Sequence, residues 1–289
     1  MKKLLILSGK GGTGKTTTAA AFIKFSNAKA MADCDVDAPN LHIVADMDKK
    51  AEYSDFYGAD KAVIDKNKCI GCGKCFQNCK FDAIIKSEGK CRIDEYACEG
   101  CGVCEYVCPQ KAVTMVPDIA GKMELYKGEK VFSTATLKMG RGNSGKLVSK
   151  VKNTMTVNAF PDTELAVIDG SPGIGCPVIA SISGVDLILI VAEPSLSGLS
   201  DMKRIIKTAE IFQTPIAVCV NKYDTSKENT DKIKEFCKEN GISFVGKIPY
   251  DKQASIAIND GKCLADYDCK ARDALYKTYQ NTMEILNIK

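Results

Sequence analysis

The sequence predicts a parallel α/β fold that is interrupted by a small cysteine-rich domain. Short apolar segments of buried-strand character lie at residues 4–7, 29–32, 165–168, 187–191 and 216–220. Helical segments that would cover the sheet lie at residues 16–25, 202–211, 231–240 and 271–286. This alternation stops between residues 60 and 117, where cysteine and glycine are enriched and no long helix is predicted.

The expected domain division is therefore discontinuous. Residues 1–59 and 118–289 are predicted to form the α/β domain, and residues 60–117 an inserted α+β domain. The insert contains an internal repeat of 29 residues, in which Ile64-Asp65 recurs as Ile93-Asp94 together with the cysteines. Such a repeat predicts two similar strand-loop units with pseudo-twofold symmetry. Residues 123–151 are predicted to form a hairpin that leads back to the α/β domain.

Composition and charge exclude several classes of protein. The 289 residues carry a net charge of +4 without a run of five like charges, so nucleic acid is not an expected partner. No apolar run approaches the roughly 18 residues of a membrane span, and no signal-peptide pattern opens the chain. The 15 cysteines are clustered and too sparse for a disulfide scaffold. A cytoplasmic protein without a membrane anchor is expected.

The cysteines of the insert follow the pattern C-x-x-C-x-x-C-x-x-x-C twice. Three thiolates of one such loop hold three irons of a cubane, and the fourth cysteine points to the other cluster. Gly71, Gly73, Gly100 and Gly102 permit the positive φ angles that such a loop needs. A zinc site is the alternative, but zinc prefers separate C-x-x-C pairs. The residues favour iron-sulfur clusters.

Residues 61–117 resemble the bacterial two-cluster ferredoxins. By that resemblance, one 4Fe-4S cluster is held by Cys69, Cys72, Cys75 and Cys108, and the other by Cys98, Cys101, Cys104 and Cys79. Cys108 is followed by Pro109, as in that family, but Cys79 is followed by Lys80. Cys91 lies between the two motifs and is expected to be a packing residue or a free thiol.

Residues 9–16, GKGGTGKT, match G-x-x-x-x-G-K-[ST] between a predicted strand and a predicted helix. In this context the backbone N–H groups hold phosphates at the helix N-terminus. Lys15 is expected to reach the β and γ oxygens, and Thr16 to bind Mg²⁺. The motif predicts a nucleoside triphosphate site.

Lys10 makes this loop resemble the deviant Walker motif of the superfamily that includes MinD, ParA and the nitrogenase iron protein. The resemblance covers about residues 1–46 and 118–289, and it implies a MinD-like P-loop NTPase fold and a nucleotide-dependent homodimer. By resemblance, Lys10 reaches the partner's nucleotide, Asp35 orients the attacking water, and Asp169 lies near Mg²⁺. Asp33 is an alternative support for Mg²⁺.

The segment Asn221-Lys222-Tyr223-Asp224 looks like a guanine-reading N-K-x-D motif. In MinD-type ATPases, however, the matching asparagine contacts adenine, so ATP is favoured over GTP. The residues expected to contact the nucleotide are Gly9, Lys10, Gly11, Gly12, Thr13, Gly14, Lys15, Thr16, Thr17, Asn221, Pro249, Tyr250 and Asp251.

Together these features predict an ATP-hydrolysing iron-sulfur protein that couples ATP to electron transfer towards an unidentified partner protein. An iron-sulfur cluster carrier or assembly ATPase is the main alternative, and a ParA-like positioning protein is a third. Cys176 follows Asp169 at the interval of a cluster ligand in the nitrogenase iron protein, but no second cysteine accompanies it. A packing thiol is therefore expected there. Cys34 is a candidate redox sensor, and His42 has no partner pattern for catalysis.

Overall fold

The computed structural model describes residues 1–44 and 50–288; the side chain of Val44 is not described. The strands in this part of the chain are β1 Lys2–Leu7, β2 Ala30–Asp33, β3 Glu52–Tyr57, β4 Lys61–Ile64, β5 Ile84–Ser87, β6 Lys90–Ile93, β7 Val113–Val116, β8 Ile119–Lys127, β9 Val131–Leu137, β10 Leu165–Asp169, β11 Leu187–Ala192, β12 Ile216–Asn221 and β13 Ser243–Ile248. The helices are α1 Lys15–Ser26, α2 Leu41–Val44, α3 Lys74–Asn78, α4 Val103–Tyr106, α5 Ser144–Asn158, α6 Cys176–Ile182, α7 Leu196–Glu210, α8 Lys227–Glu239, α9 Lys252–Asn259 and α10 Lys270–Leu286.

The chain divides into two compact units. The first comprises Met1–Tyr53, Met123–Thr136 and Gly145–Lys289, and the second comprises Ser54–Lys122 and Leu137–Ser144. The predicted insert, residues 60–117, lies within the second unit.

The large sheet has the strand order β13-β12-β11-β1-β10-β2-β9-β8-β3. Its centre is parallel: β1 pairs with β10 and β11, and β2 pairs with β10. β10 and β11 are buried at every residue because helices cover both faces of a parallel sheet, which explains their continuous apolar sequences. The parallel α/β prediction is confirmed, and the order brings the carboxyl ends of β1, β2 and β10 together.

Helix α5 was not predicted. The sequence predicts a hairpin over residues 123–151, whereas in the structure the strands end at Leu137 and a 15-residue helix begins at Ser144. Leu147, Val148, Val151 and Met155 form its buried stripe. That spacing is helical, but the abundance of lysine, serine and threonine around it weakened the signal.

The second unit shows the 29-residue repeat in its backbone. β4 and β6, α3 and α4, and β5 and β7 begin 29 residues apart. β4 pairs antiparallel with β7, and β5 with β6. The N–H of Asp65 donates to the carbonyl of Ala112 at 2.8 Å, and the N–H of Asp94 donates to the carbonyl of Ala83 at the same distance. Each repeat is therefore completed by a strand of the other.

Within residues 1–44 and 50–288, no helix has the length and apolar character to cross a membrane.

Candidate nucleotide and cysteine sites

The glycine-rich loop connects β1 to α1, as predicted. Gly14 precedes the helix with φ of 92°, and a Cβ at this position would lie 2.2 Å from Nδ2 of Asn221. The side-chain oxygen of Thr13 is buried and has no hydrogen-bond partner in the structure. A buried polar atom without a partner beside free helix N–H groups suits a loop that binds phosphate.

Asp169, at the end of β10, joins the two side chains that the motif assigns to phosphate and Mg²⁺. Its Oδ1 lies 2.7 Å from Nζ of Lys15, and its Oδ2 accepts a hydrogen bond from Oγ1 of Thr16 at 2.7 Å. Oδ2 of Asp35 lies 3.9 Å from the same ammonium. Burial alone would lower the pKa of Lys15, but the charge of Asp169 raises it above its ordinary value. Lys15 is therefore a buried cation.

Asp33 shapes the loop that carries Asp35. Its Oδ1 accepts the N–H of Asp35 at 3.0 Å, and its Oδ2 accepts those of Asn40 and Leu41, each at 2.9 Å. Burial and the neighbouring charge of Asp169 raise the pKa of Asp33 to about 7. With both oxygens bonded to backbone N–H groups, Asp33 holds this loop in place in the structure.

Lys10 lies at the exposed side of the loop. Its ammonium is 2.5 Å from Oε2 of Glu193, which follows β11, and donates to Oγ of Ser197 at 3.4 Å. Glu193 was not anticipated from the sequence. No motif connects it to Lys10, because the two residues are distant in the chain.

The other end of the site is built from the segment after β12 and the loop after β13. Nδ2 of Asn221 donates to the carbonyl of Thr13 at 2.7 Å, and Nζ of Lys222 donates to that of Gly12 at 3.1 Å. Oδ1 of Asp224 accepts the N–H of Tyr250 at 2.7 Å. Asp224, the aspartate of the N-K-x-D segment, therefore positions the loop that is expected to contact the base.

A cavity of about 730 Å³ joins these elements, a volume in the usual range for small-molecule sites. The predicted residues that line it are Lys10, Gly11, Gly12, Gly14, Lys15, Thr16, Thr17, Asp35, Asn221, Pro249, Tyr250 and Asp251. Gly9, Thr13 and Asp169 do not line it. Asp251 also accepts the N–H of Gln253 at 3.0 Å and so caps α9.

The eight motif cysteines of the second unit lie around two separate cavities. The first is lined by Cys69, Cys72, Cys75 and Cys108, and the second by Cys79, Cys98, Cys101 and Cys104. Each cavity thus takes three cysteines from one repeat and one from the other. In residues 1–44 and 50–288, no three His, Cys, Asp or Glu side chains converge closely enough to hold a single metal ion.

Two of these thiols have backbone N–H groups that favour a thiolate, whereas burial opposes a thiolate at two others, Cys75 and Cys104. Backbone N–H groups of Cys91 and Gly71 hold the pKa of Cys69 below its usual value. The N–H of Ala112 points at Sγ of Cys108 at 3.2 Å. Burial raises the pKa of Cys75 to about 12, a cost that bonding to a metal would offset. Four motif thiols line each cavity, which is the number and type of donor that a 4Fe-4S cluster binds.

The remaining candidate side chains take no part in these cavities, with one exception. Cys91 is buried and lines the first cavity beside the four motif cysteines. Cys176 is exposed at the start of α6, so the prediction of a packing thiol there is wrong. Burial raises the pKa of Cys34 to about 12, which is the opposite of what a redox-sensing thiolate needs. His42 is exposed.

Comparison with known proteins identifies the family. Residues 4–264 match the family described as CbiA: CobQ/CobB/MinD/ParA nucleotide binding domain. An uncharacterized protein of Methanocaldococcus jannaschii is 33% identical over 290 aligned positions, which cover 98% of this chain and 97% of that protein. A Pyrococcus horikoshii protein named iron-sulfur cluster carrier protein is 23% identical over 287 positions, covering 92% and 80% of the two chains. Among solved structures, the septum site-determining protein MinD of Pyrococcus horikoshii, complexed with Mg-ADP, has a TM-score of 0.57 at 16% identity, covering 99% of this chain and 97% of that one. The chain therefore belongs to the CobQ/CobB/MinD/ParA family of nucleotide-binding domains.

Proposed function

We propose that the protein is an ATPase that works as a nucleotide-dependent homodimer and couples ATP to electron transfer from two 4Fe-4S clusters to a partner protein. The observation that carries this proposal is that one chain holds both a P-loop cavity and two cavities that are each lined by four motif cysteines. Bound nucleotide can switch the protein between two conformations, and each cluster can accept and release one electron.

On the nucleotide side, the loop N–H groups and Lys15 would bind the phosphates, and Thr16 and Asp169 would bind Mg²⁺. In the structure Lys15 and Thr16 both bond to Asp169, so nucleotide would compete with Asp169 for the lysine. Asp35, 3.9 Å from Lys15, is placed to orient the attacking water. Lys10 would stabilise charge on the nucleotide of the second protomer.

The cluster ligands would be the two cysteine sets that the structure groups. Cys69, Cys72, Cys75 and Cys108 would hold one cluster, and Cys98, Cys101, Cys104 and Cys79 the other. Chain order suggests how the sites communicate. In sequence, the second unit begins after the loop that carries Asp35, and it ends where α5 begins. Helix α5 donates a hydrogen bond to α6, the helix that follows Asp169 in the chain. Movements of Asp35 or Asp169 could therefore be passed to the segments that flank the second unit in sequence.

A second candidate function, iron-sulfur cluster carriage, is favoured by the name of the Pyrococcus horikoshii relative, which aligns with 92% of the chain. The cysteine geometry favours resident clusters instead. Each cavity takes ligands from both repeats, so releasing a cluster would disturb the two halves of the second unit together.

The test is to measure the reduction potentials of both clusters anaerobically with and without Mg-ATP, together with ATP turnover in oxidised and reduced protein. A nucleotide-linked shift of about 60 mV in a one-electron couple corresponds to tenfold coupling and supports the proposal. Equal potentials and equal turnover in all states would contradict coupling, and protein without iron and sulfide would remove its basis.

A further inference from the structure

The two cysteine loops of the second unit share one backbone design but carry opposite charge. We define the first cysteine loop as residues 66–78 and the second as residues 95–107. Equivalent positions of the two loops are 29 residues apart in the sequence. The first loop contains three lysines and no acidic residue: Lys66, Lys68 and Lys74. The second contains three glutamates and no basic residue: Glu95, Glu99 and Glu105. The two loops therefore allow the effect of opposite charges to be compared on equivalent backbone positions.

All six charged side chains are exposed. On the first loop, Lys68 has only a 3.9 Å contact with Asp65, while Lys66 and Lys74 have no carboxylate within ion-pair distance in the described part of the chain. On the second loop, Arg141 pairs with Glu95 at 2.6 Å. Among the described residues, Glu99 and Glu105 have no cation within ion-pair distance, and Oε1 of Glu105 accepts the N–H of Met115 at 3.1 Å. The contrast between the loops therefore persists after pairing.

Two further pairs of lysines are distributed evenly between the loops. Lys61 donates to the carbonyl of Cys98, and its repeat counterpart Lys90 donates to that of Lys66 at 2.7 Å, so each loop receives one lysine from the other repeat. Likewise Lys80 follows Cys79 of the second cavity, and Lys111 lies just after Cys108 of the first. These pairs do not reverse the difference.

Both loops expose apolar side chains, but at different repeat positions. Tyr96, Val103 and Tyr106 of the second loop are exposed by 65%, 40% and 92%. In the first loop, Ile70 and Phe76 are exposed by 64% and 49%, and Cys72 is exposed between them in sequence. Their counterparts in the second loop are Glu99 and Glu105. Exposed apolar side chains with charged groups around them are the usual anatomy of a protein interface. Since both loops have them, it is the charge that distinguishes the first loop, in which lysines lie near a cysteine that lines the first cavity.

We propose that the first cysteine loop is the docking surface for an acidic protein that carries a one-electron redox group. Complementary charge would steer such a partner to this loop and away from the glutamates of the second loop. The inference rests on the proposed function, because it needs clusters in the cavities. It adds which of the two loops meets the partner and the sign of the partner's surface.

The test uses the full chain, reduced anaerobically, and two small one-electron oxidants of opposite charge. Ferricyanide, an anion, takes one electron to become ferrocyanide, and hexaammineruthenium(III), a cation, takes one electron to become the ruthenium(II) complex. The triple variant Lys66→Gln, Lys68→Gln, Lys74→Gln is compared with a control, Lys227→Gln, Lys234→Gln, Lys238→Gln on α8. Both remove three positive charges, but the control residues lie on the first unit.

At low ionic strength, the loop variant should react with ferricyanide at least about fivefold more slowly, whereas the α8 control should change less than about twofold. Hexaammineruthenium(III) should react faster with the loop variant. Polyglutamate, an acidic polypeptide probe, should inhibit ferricyanide oxidation of the unmodified protein but not of the loop variant.

Three results would overturn the docking proposal. Equal rate changes in the two triple variants would mean that only net charge matters. If the triple variant Glu95→Gln, Glu99→Gln, Glu105→Gln changed the rate of ferricyanide reduction more than the lysine variant does, electrons would leave through the second loop. Absence of polyglutamate competition would exclude an acidic polypeptide as the occupant. Iron and sulfide analysis separates the two levels: protein without clusters defeats the proposed function as well, while clustered protein without loop preference defeats only this inference.

Discussion

Gly14 is fixed by two independent constraints in the nucleotide site. Its φ of 92° costs any other residue about 1–2 kcal/mol, and a Cβ would lie 2.2 Å from Nδ2 of Asn221. Asn221 has little freedom to move, because it donates to Thr13 at 2.7 Å and accepts the N–H of Lys222 at 2.9 Å. The loop and the predicted base-contacting residue are thus locked together.

Gly14→Ala is therefore expected to weaken ATP binding at least about tenfold, as measured with a fluorescent ATP analogue. Gly241→Ala is the matched control, because Gly241 also has a positive φ, of 65°, but a Cβ there would meet no atom within 4 Å. The control should lose about 1 kcal/mol of stability and keep its affinity. Equal affinities in the two variants would contradict the locking of Gly14 to Asn221.

Lys10 gives a second prediction at the residue scale. Because its ammonium contacts Glu193 at 2.5 Å within one protomer, reaching a second protomer requires this pair to break. Glu193→Gln should therefore allow ATP-dependent dimerisation at lower protein concentration, as followed by analytical ultracentrifugation. Lys10→Ala should dimerise poorly and lower turnover at least about tenfold while still binding ATP as a monomer.

The control for Lys10→Ala is Lys29→Ala, which removes an exposed lysine whose ion pair, with Asp162, is elsewhere in the first unit. Unchanged dimerisation and turnover in Lys10→Ala would show that this lysine acts only within its own protomer.

Among the elements, α5 and α6 are joined by a buried lysine. Nζ of Lys152 donates to the carbonyls of Ala180, Ser181 and Ser183 at 3.0, 2.6 and 2.6 Å. These carbonyls lie at the end of α6, where intrahelical donors run out. Burial lowers the pKa of Lys152 to about 8, so the ammonium still predominates at pH 7.

Lys152→Met should lower the free energy of unfolding by about 1–3 kcal/mol at pH 7, because it leaves the carbonyls buried without a donor. Chemical denaturation measures this change. Lys234→Met, at an exposed position of α8, should change stability by less than about 0.5 kcal/mol. Similar losses in both variants would show that the bonds to α6 contribute nothing specific.

The nucleotide loop could be predicted because its signal is local, whereas the grouping of cysteines from both repeats was implied by the resemblance to two-cluster ferredoxins. Residues 9–16 form one strand-loop-helix connection, and the cysteine motif repeats at a fixed spacing. The pairs Lys10–Glu193 and Lys152 with the end of α6 could not be predicted. Their partners come from other elements, and only the packing of those elements brings them together.

At the scale of the whole molecule, the two units have separate hydrophobic cores. The large core includes Leu4, Phe22, Val167 and Leu189 of the first unit, whereas Ala62, Ala83, Cys98 and Val113 form a small core in the second. Small cores contribute little stability by themselves, and metal clusters commonly supply the rest. Under the proposed function, the stability of the second unit should therefore depend on bound clusters far more than that of the first unit does.

This dependence predicts how the protein behaves during iron removal. If the clusters are resident, loss of iron to a chelator should be slow and should change less than about twofold on adding Mg-ATP, because each cavity takes cysteines from both repeats. Iron release is followed by the absorbance of the iron-chelator complex. Cys72→Ser, Cys101→Ser is the positive control, since it removes one exposed cysteine from each cavity and should release iron faster. ATP-dependent transfer of clusters to an apo acceptor would instead identify a carrier and contradict the electron-transfer proposal.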